Sequence, residues 1–147
     1  MSSRRKSREM ALQFIFQEDF TGSSPDEILK IFLKGNVVSL KNRKFAEFLF
    51  RQYLENRIYI DKLISSHSQN WKLKRMSVVD RSILRMALSE FLYTDTPKVV
   101  IIDEAIEIAR RYSGDESTEF INGVLDAMKQ TLKPEGTEER MDDRRQD

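Results

Sequence analysis

Apolar residues recur along this chain at helical spacing. The first run is Ala11, Leu12, Phe14, Ile15, Phe16 and Phe20. It predicts a helix from about Ser3 to Phe20, with Ser3 as a possible N-cap. Thr21-Gly22-Ser23-Ser24 ends it. A second helix starts at once: Ser24 can cap, Pro25 takes the first helical position, and Glu27 completes a capping box. Its apolar positions are Ile28, Leu29, Ile31, Phe32 and Leu33, and Gly35-Asn36 stops it. A longer pattern begins near Lys41 and passes through Phe45, Phe48, Leu49, Tyr53, Leu54, Ile60, Leu63 and Ile64. It contains no Gly or Pro, so it is one long helix or two joined by a slight kink.

Residues 70 to 77 form a connector. Ser77 then caps a strong helix, with Asp80 three residues later. Leu84, Ala87, Leu88, Phe91 and Leu92 make the cleanest core stripe in the chain, with Arg81 and Arg85 on its flank. Asp95-Thr96-Pro97 separates this helix from the next, with Thr96 as N-cap. The run Val99-Val100-Ile101-Ile102 looks strand-like. A helix is expected instead, because Ile101, Ala105, Ile108, Ala109 and Tyr112 continue at helical spacing and no second strand exists to pair with it. Glu107 and Arg111 form an i, i+4 pair. After Ser113-Gly114 a last helix carries Phe120, Ile121, Val124, Leu125, Met128 and Leu132. Gly123 lies inside it, at a cost of about 1 kcal/mol against alanine. It is therefore expected to let a neighbouring helix approach closely.

The pattern implies an all-α fold of about seven helices. Residues 1–133 read as one helical domain. Residues 134–147 carry six acidic and three basic residues and no large apolar one except Met141. They read as a disordered acidic tail.

Composition narrows the chemistry. The 147 residues suit one domain. With no cysteine and one histidine, His67, thiolate catalysis, disulfides and the usual imidazole sites are excluded. No apolar stretch approaches the ~20 residues of a membrane span, and the start has no secretory pattern. The expectation is a cytoplasmic protein that makes no membrane contact. The net charge is only +1 although 33% of the residues are charged, so positive charge is local. Arg4, Arg5, Lys6 and Arg8 place four cations in five positions. They directly precede the apolar run, which suggests an anion-binding surface fixed to a core helix. Arg4 and Arg8, four apart, are expected to share a face with Arg5 beside them. Trp71 either anchors the connector or stacks on a ligand beside Lys72, Lys74 and Arg75. His67 reads as a polar helix end or an RNA contact. Asp103, Glu104 and Glu107 resemble a metal cluster only loosely, since no histidine joins them and Arg110 and Arg111 lie within a turn. A solvated face is the simpler reading. No metal, cofactor or catalytic residue is expected, and the protein is read as a binding protein and not an enzyme.

Four stretches carry a resemblance to a known family. They are RRKSREMALQFIFQ at the start, WKLKRMSVVDRSILRMALSE from Trp71 to Glu90, PKVVIIDEAIEIARRY from Pro97 to Tyr112, and GDESTEFINGVLDAM from Gly114 to Met128. Together, in this order, they resemble the NusB family of transcription antitermination factors over residues 4 to 132. The resemblance implies two small packed helical bundles. It implies binding of boxA RNA in ribosomal RNA leaders together with NusE, a small-subunit ribosomal protein, within an RNA polymerase elongation complex. Arg4, Arg5, Lys6 and Arg8 match its arginine-rich RNA-binding motif. Glu116 and Phe120 match positions near bound RNA, although Phe120 also falls on an apolar stripe. Phe16 and Asp80 match positions at the NusE side. Glu119 stands where members often have a basic residue, and Glu116 where some have Asp. The fold also resembles the N-terminal domain of ribosomal RNA cytosine methyltransferases. A chain ending at Asp147 leaves no room for a methyl-transferring domain, so the free-standing factor is expected. An adaptor that binds protein without RNA is the alternative. A homodimer that buries the basic helix would be an autoinhibited form.

Overall fold

The computed structural model describes residues 3–68 and 76–132. The connector around Trp71 and the acidic tail lie outside the described residues. Seven helices account for nearly all of them: α1 Ser3–Thr21, α2 Pro25–Gly35, α3 Leu40–Glu55, α4 Arg57–His67, α5 Val78–Tyr93, α6 Lys98–Tyr112 and α7 Asp115–Leu132. The fold is all-α, as the periodicity and the resemblance implied.

Helix starts follow side-chain chemistry. Ser24 Oγ accepts from Glu27 N–H at 3.2 Å, Ser39 Oγ from Asn42 N–H at 3.1 Å, and Ser77 Oγ from Asp80 N–H at 3.0 Å. Each cap satisfies a donor that the helix itself cannot, which contributes about 1 kcal/mol. Gly22 ends α1 at φ +71°, a left-handed conformation in which a Cβ would be strained.

The long third pattern is two helices. Asn56 interrupts it with φ −119° and ψ 23°, and its Nδ2–H donates to Gln52 O at 2.8 Å. The ladder resumes immediately, with Ile60 N–H on Asn56 O at 2.9 Å. A one-residue break therefore needs no glycine or proline.

α5 organises the packing. It touches α1, α3, α4, α6 and α7. Ten consecutive residues, Ser82 to Phe91, are buried. Arg85, expected on the flank of the apolar stripe, is itself buried. Its guanidinium pairs with Asp61 through two hydrogen bonds of 2.9 Å and reaches Asp19 at 3.0 Å. Arg81 donates to the same Asp19 carboxylate at 2.6 Å. Phe14 of α1 meets Phe32 edge-on at 5.1 Å and Phe50 at 5.6 Å, which locks α1 onto α2 and α3.

Several local expectations are corrected. Ser3 already belongs to α1 and is not its cap. Pro97, not Thr96, is the N-cap of α6, because its carbonyl accepts from Val100 and Ile101. Arg111 pairs with Glu9 of α1, and Glu107 pairs with Arg110. Phe20, the last residue of the first apolar run, is 71% exposed and lies outside the core. Gly123 is exposed, and nothing lies within 4 Å of where a Cβ would sit. Among the described residues, no helix approaches it.

Candidate nucleic-acid interface

The basic tetrad sits on the first turns of α1, and the helix divides it. Arg4 and Lys6 are exposed, Arg5 is half-buried and Arg8 is 4% exposed. Arg8 turns inward to α5. Its Nε donates to Glu90 Oε1 and its Nη2 to Glu90 Oε2, both at 2.7 Å, and Glu90 is fully buried. Such a pair is stable only when the geometry satisfies both charges, and here two parallel hydrogen bonds do so. The Arg8 guanidinium is thus engaged inside the molecule.

Arg5 makes the same kind of fork one layer out. Its Nε and Nη2 donate to the two carboxylate oxygens of Glu104 at 2.9 and 2.7 Å. Arg8 Nη1 also reaches Glu104, at 3.5 Å. The Arg5 hydrogen bond holds the Glu104 carboxyl below its usual range, and the Arg5 and Arg8 charges add to this against burial. The coupled pair is therefore Arg5 with Arg8, through Glu104, and not Arg4 with Arg8. Arg4 turns to α3, where its guanidinium lies 3.7 Å from the centroid of the Phe45 ring. What remains facing solvent is an edge of Arg4, Lys6 and the outer side of Arg5.

Glu90 and Glu104 are the carboxylate partners of the basic arm. Glu90 did leave a signal, as an acidic residue between Leu88 and Phe91 in the strongest apolar stripe. Glu104 gave none beyond its place in a charged helix face.

The other expected residues fall into two clefts. Asp80, Glu116 and Phe120 line one of about 520 Å³, together with Met76, Ser77, Ser117 and Glu119. The Asp80 carboxylate accepts from Ser113 Oγ at 3.1 Å and Ser117 Oγ at 2.9 Å, which ties the start of α5 to the start of α7. Phe120 is half-buried and packs against the core. Among the described residues, the charged ones that line this cleft are all acidic. It would repel a phosphate but can accept from base edges or from a basic protein segment. Phe16 lines a second cleft, of about 630 Å³, with Lys6, Val37, Val79 and Tyr112 among its walls. Val79 is the chain neighbour of Asp80, so the two clefts adjoin at the first turn of α5. Phe16 stacks on exposed Phe20 with centroids 5.7 Å apart. The α1 C-terminus thus presents aromatic surface of the kind protein interfaces use.

His67 Nδ1 lies 2.8 Å from Leu63 O, closing the end of α4. No group of three or more metal-ligating side chains occurs among the described residues.

The NusB family model matches residues 5–130. The chain belongs to the NusB family of transcription antitermination proteins. The transcription antitermination protein NusB of Koribacter versatilis is 46% identical over 135 residues, covering 90% of this chain and 92% of that protein. The NusB of Desulfatibacillum aliphaticivorans is 41% identical and covers 99% of this chain and 100% of its own length. Among solved structures, T. maritima NusB superposes with a TM-score of 0.82 at 38% identity, covering 92% of this chain and 96% of that one. A structure of antitermination factors NusB and NusE in complex with dsRNA shares the fold, with a TM-score of 0.79 at 24% identity. It covers 89% of this chain and 98% of that one. In the NusB family, then, this chain fixes its basic arm through the Arg8–Glu90 pair.

Proposed function

We propose that this chain is a transcription antitermination factor that binds boxA RNA of ribosomal RNA leaders together with NusE. In the RNA polymerase elongation complex it keeps transcription processive through terminators. The observation that carries the reading is the outward cation edge of Arg4, Lys6 and the outer side of half-buried Arg5, held on the core by Arg8 and Glu90. Cations so placed release counterions from an RNA backbone without first ordering an arm. The solved assembly of a NusB with NusE and dsRNA on the same fold supports both partners.

Each residue takes a role from its place. Arg4, Arg5 and Lys6 contact phosphates, while Arg8 holds the arm in position. Glu116 and Phe120 receive a base or the strand's edge in the acidic cleft, where accepting groups and a ring suit a base better than a phosphate. Phe16 and Asp80, beside the adjoining clefts, face NusE. The work is binding and takes place in the cytoplasm, where nascent RNA is made.

The test is a titration of labelled boxA-like and scrambled RNA with the protein, alone and mixed with NusE. Tighter binding of the boxA-like strand, strengthened by NusE, is expected. No RNA affinity even with NusE present would leave the protein-only adaptor as the correct reading.

A further inference from the structure

Many arginines in this protein have a carboxylate partner. Arg5, Arg8, Arg57, Arg81 and Arg85 each pair with one or two. One cluster of cations does not follow that rule. Where α1 meets the start of α3, a cleft of about 330 Å³ is lined by Arg4, Ser7, Lys41, Asn42, Lys44 and Phe45. Among the described residues, its charged ones are all cations. Among the described residues, Arg4, Lys41 and Lys44 have no ion-pair partner. Neither α1 nor α3 holds an acidic residue in its first turn, so no carboxylate offsets the positive end of either helix there.

The cleft also has an aromatic wall. Arg4 lies over Phe45, and Phe45 stacks with Phe48 at 6.5 Å and 15° between ring planes. Phe48 is 37% exposed. Cations that track a backbone beside a ring open to stacking are the combination that holds single-stranded nucleic acid. An acidic peptide would match the charges but leave the exposed ring without a stacking partner.

We propose that this cleft is a second phosphate subsite, in which Arg4, Lys41 and Lys44 take the backbone of an RNA strand that continues from the α1 edge, with Phe48 as a platform for one base. The inference rests on the RNA-binding reading above and extends it from α1 onto α3. Arg4 belongs to both surfaces, which makes the track continuous.

The test compares wild type with K41Q/K44Q, two exposed positions, using a single-stranded RNA of about 16 nucleotides. Thermal unfolding of the variant checks that the fold is kept. Losing two phosphate contacts should weaken binding about tenfold near 0.15 M salt and reduce the salt slope by about 1.4. Phe48→Ala should weaken binding severalfold with the slope unchanged. A wild-type slope and affinity in K41Q/K44Q would overturn the subsite and leave the RNA reading intact. No RNA binding by wild type, even with NusE, would instead overturn the RNA reading and the subsite with it. Poly-glutamate bound as tightly as RNA, and lost in K41Q/K44Q, would reassign the cleft to acidic protein segments.

Discussion

Arg8 and Glu90 form a bidentate ion pair inside the molecule, with Nε to Oε1 and Nη2 to Oε2 both at 2.7 Å. It joins the basic arm to the central helix, and it separates a residue that holds the arm from residues that face outward. Removing one partner leaves the other charge buried and unmatched. Arg8→Ala should therefore destabilise the protein by about 3–5 kcal/mol, measured by urea unfolding. Arg4→Ala removes only an exposed cation–π contact and should cost about 0.5–1 kcal/mol. Equal costs for the two would contradict this division.

Stability should fall on the acid side through two carboxylates. Glu104 is held low first by the Arg5 hydrogen bond. Burial pushes Asp19 up, but the hydrogen bonds and charges of Arg81 and Arg85 outweigh it and leave it low. A depressed folded pKa gives stability that is present above the unfolded value and lost as pH falls through the folded one. Thermal unfolding should thus be steady near neutrality and weaken below about pH 4. Glu104→Gln and Asp19→Asn should each lower stability near neutrality and flatten that acid limb.

Burial raises the Tyr93 hydroxyl too, but the larger alkaline contribution is that of Tyr53. It is fully buried, and burial pushes its hydroxyl up to about 12. A raised folded pKa gives stability that is complete below the unfolded value and is lost as pH rises through the folded one. The loss should begin near pH 10 and continue towards 12. Tyr53→Phe should flatten it in the same unfolding series.

Gly123→Ala should stabilise the protein by about 1 kcal/mol, because the added methyl meets open space on an exposed helical surface. Guanidinium unfolding checks it. A loss of stability would mean that the site needs glycine for a reason other than packing.

The outline of the fold was legible because helical spacing and serine caps are local signals. Ser24 and Ser77 announce their helices in the three residues that follow them. The strand-like run Val99 to Ile102 also resolved correctly, since the residues after it kept the helical period. The missing part was long-range. Nothing near Arg8 in the chain tells of Glu90, which lies 82 positions away. A tetrad of like charges reads as one surface until tertiary packing turns one member inward. Gly123 shows the same limit, since a glycine in a helix marks only the absence of a side chain, not what lies opposite. In the same way, the grouping of Asp80 with Glu116 and Phe120 follows from the packing of α5 against α7, which no local spacing reveals.

The most direct test of the outward edge is the salt dependence of boxA-like RNA binding, with NusE present, for wild type and for R4A/K6A. Both positions are exposed, so unfolding should change little. The expected result is weaker binding with the slope of log affinity against log salt reduced by about 1.4. An unchanged slope and affinity in the double variant would contradict the assignment of this edge to RNA.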